Sequence, residues 1–379
     1  MAMPWLFLHS AREVAAGPGC ASRAAEHARK RACQRPAMVL DPWFADSDAA
    51  KAIAGELKET CGAAPAMIAV AAGEPDLDAV EGVRAALAKA DPDLIVVVGG
   101  GSAMDTAKVA RMLLSNPGPA EKISGPAGAP MVPHPSLFVA IPTTAGTGSE
   151  VSESAVVSVP GTNYKMIFRN QDMTPHVALL DPVLGVTAPA GVTAASGLDA
   201  VTHAVEAFWS KFANPVTDML SREAMRLLAS GLPRAYSQPD DLQAREDCLI
   251  GSMLAAMAFN SANLGLAHAI SGALGALHHV PHGVANALAL PHVSAFNETA
   301  TDKAKEVGAM FGGNTASSAM FRLRAQLGFD RSLDEWVKPD ALDAVAAGAM
   351  RSGQLRCNPR AVVVEDVRDM LERMRIPHG

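Results

Sequence analysis

Residues 93–108 read DLIVVVGGGSAMDTAK, and this stretch decides the fold. Leu94, Ile95, Val96, Val97 and Val98 follow one another with no polar alternation, which describes a strand covered on both faces. Strands of that kind belong to parallel sheets with helices above and below. Gly99, Gly100, Gly101 and Ser102 then close the strand and open a helix predicted over 103–114. Bare backbone N–H groups at a helix start suit a phosphate. The spacing is neither that of GxGxxG nor that of the P-loop.

The same alternation extends to either side. Residues 36–41 and 64–71 read as strands, and 47–61 and 76–90 as helices. A further strand at 137–142 runs into TTAGTGS at 143–149, a second loop of glycines and hydroxyls. Two such loops at carboxyl ends of strands predict a nucleotide across the sheet edge. Asp41 closes the first clear strand, where a carboxylate accepts hydrogen bonds from ribose hydroxyls or starts a turn with Pro42. Together these describe a doubly wound α/β unit.

From about residue 190 the periodicity becomes helical, with helices predicted over 193–209, 216–229, 240–260, 265–277 and 286–296. Pro175, Pro182 and Pro189 mark the expected crossing between domains. The division is therefore an α/β domain over 1–185 and an all-helical domain over 186–379. A chain of 379 residues is long enough for both cores.

Composition narrows the function classes. The net charge is -7 and no Lys/Arg-rich run occurs, so nucleic acid is not an expected partner. The five cysteines are scattered and lack CxxC spacing, which suits reduced thiols in the cytoplasm. The apolar start MAMPWLFLH has no basic residue before it and is too short for a signal segment. No run of about 20 apolar residues suggests a membrane span.

The helical half carries the chemistry. Asp199 and His203 are four apart, so both side chains leave one helix face. Five of the eleven histidines follow within 268–292: His268, His278, His279, His282 and His292. A carboxylate with three imidazoles suits Fe(II) or Zn(II) with a coordination position left open.

Several stretches taken together resemble the group III, iron-containing alcohol dehydrogenases. They are GGGSAMDTAK (99–108), PTTAGTGSE (142–150), LDP (180–182), GLDAVTHAVEAF (197–208), NLGLAHAISGALGALHHVPHGVANALALPHV (263–293) and NPR (358–360). The resemblance implies a dehydroquinate synthase-like fold, an NAD(P)-binding domain followed by a helical metal domain, with a catalytic cleft between them. It implies Asp199, His203, His268 and His282 as metal ligands. It implies cofactor contacts from Asp41, Gly99, Gly100, Gly101, Ser102, Asp105, Thr143, Thr144, Thr147 and Lys165. An acidic residue at position 41 resembles the NAD-preferring members, and a homodimer is expected.

Two departures qualify the resemblance. Relatives such as the lactaldehyde reductases carry a further histidine one turn after the third ligand, where this chain has Gly272. His278 and His279 then become the candidates for a catalytic, proton-handling role, or else cap a helix end. The similar maleylacetate reductases typically replace the ligating carboxylate by Asn, whereas Asp199 is kept here. A smaller difference is Asp76, where many relatives have Asn.

The expected reaction is hydride transfer between nicotinamide C4 and the carbinol carbon of a small alcohol or aldehyde, with the metal as Lewis acid. The alternatives are a maleylacetate reductase-like enzyme and a catalytically silent NAD-binding protein. Pocket residues are expected from 150–154, Phe259, Leu264, His278 and Cys357, a set without a cationic clamp for a dicarboxylate. Short uncharged aldehydes are the expected substrates.

Overall fold

Uninterrupted apolar runs become the strands of a six-stranded parallel sheet. The computed structural model describes residues 8–124 and 131–376; the apolar start, residues 1–7, lies outside them. The elements of the first part are β1 (Glu13–Ala16), α1 (Arg23–Lys30), β2 (Pro36–Leu40), α2 (Asp48–Cys61), β3 (Ala66–Ala69), α3 (Leu77–Ala90), β4 (Leu94–Gly99), α4 (Gly101–Ser115) and β5 (Leu137–Pro142). They are followed by β6 (Ser154–Ser158), β7 (Lys165–Arg169) and β8 (Val177–Leu180). The strand order is β1-β8-β5-β4-β2-β3, and β6 and β7 form a separate antiparallel pair.

Every residue of β4 and β5 is buried. Even-numbered β4 side chains pack on the layer holding α1 and α2, and odd-numbered ones on the layer holding α3 and α4. Each such Val, Ile or Leu contributes about 1.5–3 kcal/mol relative to exposure. Helix ends follow local chemistry: Ser47 and Asp76 cap α2 and α3 by accepting from Ala50 N and Ala79 N.

The stretch 175–189 contains both a strand and the passage to the second unit, which begins at residue 188. Val177–Leu180 is a buried strand lying between β1 and β5, so Pro175 and Pro182 flank a sheet strand. The chain forms two compact units, one of residues 9–144 and 149–187, the other containing 145–148 and the chain from 188 on.

The second unit contains α5 (Ala190–Trp209), α6 (Pro215–Ser237), α7 (Leu242–Ala262), α8 (Leu266–His278), α9 (His282–Asn297), α10 (Lys303–Met310), α11 (Ala316–Gln326), α12 (Leu342–Met350) and α13 (Val364–Met374). No strand follows Leu180 among the described residues. α5, α8 and α9 are the central helices, buried on almost all sides, and α7 meets α8 at 99°. Among the described residues no single helix is long and apolar enough to cross a membrane.

Candidate active site

In the helical unit, α5 is buried continuously from Gly197 to Trp209, so any polar side chain there needs a partner inside the protein. Asp199, His203 and Glu206 lie at i, i+4 and i+7, one face of the helix. His268 comes from the first turn of α8 and His282 is the first residue of α9. One ligand atom from each of Asp199, His203, His268 and His282 lies within 4.8 Å of every other. Asp199 Oδ1 is 3.9 Å from His203 Nε2, 3.7 Å from His268 Nε2 and 3.5 Å from His282 Nε2. The first three side chains are buried, while that of His282 is 39% exposed, leaving the set open on its side.

Hydrogen bonds orient two of the rings. His203 Nδ1 donates to the Gly146 carbonyl at 3.2 Å, and His268 Nδ1 donates to Glu206 Oε2 at 2.7 Å. In each ring the lone pair is thereby left on Nε2, facing the centre. Glu206 has a second task. α8 starts behind Gly265, which has no capping side chain. Glu206 accepts instead from Gly265 N at 2.9 Å, Ala267 N at 2.6 Å and His268 N at 3.3 Å. A Cβ at position 265 would stand 3.0 Å from Glu206 Oε1, so glycine lets the carboxylate reach the helix start. Glu206 and Asn286 were missed at the sequence level. Their signal was a carboxylate and an amide within apolar helices, each at helical spacing from a ligand histidine.

Asn286 is fully buried one turn after His282. Its Nδ2 donates to Asp199 Oδ1 at 2.6 Å and lies 3.1 Å from His268 Nε2 and 3.2 Å from His282 Nε2. Burial pushes the Asp199 carboxyl up, but His203, His282, His268 and the Asn286 amide together hold it below the ordinary range. Burial lowers His203 against the pull of Asp199, and burial with His203 and His282 lowers His268 strongly. The buried imidazoles are therefore neutral at pH 7. Burial pushes Glu206 up to about 7, against three backbone N–H donors that favour the anion. A carboxylate oxygen facing three imidazole lone pairs fits a divalent cation, and the N/O donor set accepts Fe(II) or Zn(II).

Other expectations distribute differently. His278 ends α8 half-buried, and His279 is its exposed C-cap at φ 53°. Neither belongs to the converging set. Gly272 is exposed, and a Cβ there would meet nothing within 4 Å. His292 is buried edge-on to Phe321, ring centroids 5.3 Å apart. Phe259 stands against His203 at 4.7 Å between centroids. Residues 150–153, expected in a pocket, are buried instead. There Ser152 and Ser154 accept three hydrogen bonds from the buried Lys108 Nζ, and Glu153 pairs with Arg169.

In the α/β unit, the parallel register brings Leu40 opposite Val98 and Gly99 opposite Pro142. Asp41, Gly99, Gly100, Gly101, Thr143 and Thr144 consequently share one sheet edge. Gly100 N donates to Asp41 Oδ2 at 2.6 Å, and burial raises that carboxyl against this hydrogen bond. A Cβ at position 99 would stand 2.6 Å from the same oxygen, which explains glycine there. α4 starts at Gly101 with no side-chain cap at Gly100, the arrangement that receives an anion.

The remaining expected cofactor contacts are engaged within the protein. The Ser102 hydroxyl donates to Gly73 O at 2.7 Å. Asp105 accepts from Ser149 Oγ at 2.7 Å and Val156 N at 2.8 Å, which gives it a loop-holding part. Lys165 Nζ pairs with Glu74 at 2.6 Å. Thr147 lies in the 145–148 segment, which belongs to the helical unit. Asp76, where many relatives have Asn, caps α3.

Comparison with known proteins finds family matches along most of the chain. Residues 11–182 match the family described as iron-containing alcohol dehydrogenase, and residues 193–375 match the C-terminal domain of the Fe-containing alcohol dehydrogenase family. The chain is 32% identical over 371 residues to an NAD-dependent methanol dehydrogenase of Bacillus methanolicus, covering 94% of this chain and 96% of the relative. It is 40% identical over 283 residues to a 1,3-propanediol dehydrogenase of Klebsiella pneumoniae, covering 71% and 72%. A crystal structure of a 1,3-propanediol oxidoreductase superposes with a TM-score of 0.92 at 33% identity, covering 98% of this chain and all of the other.

Proposed function

The chain belongs to the iron-containing alcohol dehydrogenase family, and we propose that it is an NAD(H)-linked enzyme acting on small uncharged alcohols and their aldehydes. The observation carrying this reading is the convergence of Asp199 with three imidazoles whose lone pairs face one another. Fe(II) is the expected ion, with Zn(II) the alternative; bound there, it supplies a Lewis acid that stabilises negative charge on the substrate oxygen.

The chain's own residues do the rest. Glu206 and the Gly146 carbonyl hold His268 and His203 in the ligating tautomer. Asp41, at the same strand edge as the glycine turn, offers acceptor oxygens to ribose hydroxyls and repels a 2′-phosphate. The uncapped start of α4 receives the dinucleotide phosphates. With the dinucleotide bound, the chemistry it would supply is hydride exchange at nicotinamide C4, and the proton would have to be carried by a group other than residue 272, which has no side chain. His278 and His279, at the end of the helix bearing His268, remain our candidates for it. Support for small uncharged substrates comes from the relatives, named for methanol and 1,3-propanediol.

The test is a panel of aldehydes and ketones assayed with NADH and NADPH after loading Fe(II) or Zn(II). One ion per chain, turnover favouring NADH, and loss of both metal and rate in Asp199→Asn are expected. The reading fails if no stoichiometric metal is bound and Asp199→Asn changes neither metal content nor rate. A preference for NADPH overturns the part given to Asp41, and reduction of maleylacetate alone places the chain with the dicarboxylate reductases.

A further inference from the structure

Asn286 is used by no step of the reaction above, yet it is one of the most constrained polar side chains in the molecule. It is fully buried and stands on α9 one turn beyond His282, so both side chains leave the same face. Its Nδ2 lies within 3.2 Å of three of the four converging atoms, Asp199 Oδ1, His268 Nε2 and His282 Nε2. Its Oδ1 has no hydrogen-bond partner. An amide buried in an apolar interior normally satisfies both ends. Here the amide turns its donor to the ligand set and leaves its acceptor unmet, which leaves a buried oxygen orphaned. The orientation is therefore dictated by the cluster, where a donor is what acceptor atoms facing one another require.

We propose that Asn286 is a positioning residue for the metal: its amide holds the Asp199 carboxylate, whose oxygens have lone pairs for both a hydrogen bond and an ion, turned into the ligand set, and thereby sets how tightly the ion is retained. The inference rests on the metal-dependent reading given above. It concerns the grip on the ion and not a chemical step. A carboxylate free to rotate about its Cβ–Cγ bond would present its oxygen to the ion only part of the time. The 2.6 Å hydrogen bond removes that freedom. Partners that orient ligands in this way are worth about 10- to 100-fold in metal affinity.

The experiment compares wild type with Asn286→Ala and with Asn286→Leu, which keeps the bulk and removes both polar ends. Zn(II) retention is measured by competition with a chromophoric chelator, alongside the thermal midpoint of each protein freed of metal. Both variants should hold Zn(II) about 10- to 100-fold more weakly. The metal-free midpoint of Asn286→Leu should fall by no more than that of Asn286→Ala, because the orphaned oxygen leaves with the amide and the bulk is kept, while Asp199 loses the same donor in both. Unchanged retention in both variants overturns the proposal. So does a loss of retention explained wholly by unfolding, seen as equal falls in the metal-free midpoint and in retention for both variants. If wild type itself binds no stoichiometric metal, the metal-dependent reading fails first, which is a different result from tight binding that ignores Asn286.

Discussion

Glu206 shows how one side chain joins helix capping to ligand chemistry. Its two oxygens face four N–H groups, three from the backbone at the start of α8 and one from the His268 ring. Glu206→Gln turns an NH2 group towards some of those donors. The expected cost is about 1–3 kcal/mol from unmet buried groups, with metal affinity down about 10- to 100-fold as His268 loses its orienting partner. Denaturant unfolding of the metal-free variant together with chelator competition checks both. A variant of wild-type stability and metal affinity would remove Glu206 from the site. Asn286→Leu should differ by a smaller stability loss, since one donor to Asp199 is removed where Glu206→Gln disturbs four groups.

Residues 143–149 divide at the level of the element. Thr143 and Thr144 continue β5 at the sheet edge beside the glycine turn, whereas 145–148 packs with the helices. Gly146 lies against Ser196 of α5 and gives its carbonyl to His203. Gly148 adopts φ +60°, and a Cβ there would fall 2.1 Å from that of Ala256 on α7. The left-handed conformation costs alanine about 1–2 kcal/mol, and the overlap about 1–3 kcal/mol more. Gly148→Ala should therefore lose about 2–5 kcal/mol and, by displacing Gly146, weaken metal binding as well. Thermal unfolding reads the first and metal stoichiometry the second; an unchanged midpoint would mean that the segment is not held against α7 in this way. The β6–β7 pair went unread although its signal was present: two alternating runs, SAVVS and KMIFR, flank a turn containing Pro160 and Gly161.

Across the whole molecule, buried titratable groups pull stability with pH in opposite directions. Burial, with Arg111, Arg12 and Arg31 nearby, lowers His176 to about 4. Between about pH 4 and 6.5 the unfolded chain then binds the proton that native His176 refuses, so its contribution is present above 6.5 and lost as pH falls. Burial raises Glu150 and Glu206 to about 7. Those native carboxyls keep a proton that the unfolded chain releases, so their contribution is lost as pH rises from about 4.5 to 7. The opposing slopes flatten the wild-type profile. Comparison with His176→Gln isolates one of them: the advantage of wild type should shrink by about 1–2 kcal/mol between pH 6.5 and 5, allowing for partial solvent access at His176. Urea unfolding at the two pH values decides this, and a constant difference would show that His176 titrates normally.

Sequence alone determined the doubly wound sheet, the helical second half and the glycine turn, and it offered, as a resemblance, the four candidate ligands that converge. Each of these is carried by local apolar periodicity or by side chains in recognisable order. Tertiary structure alone decided which histidines converge and which do not, since convergence depends on α5, α8 and α9 packing together. It also decided the parts of Glu206, Asn286 and Lys108, because the partners of a buried polar group lie on other elements. β8 was hidden for a related reason: four residues between prolines carry too little periodicity to mark a strand, and only pairing with β1 and β5 makes them one.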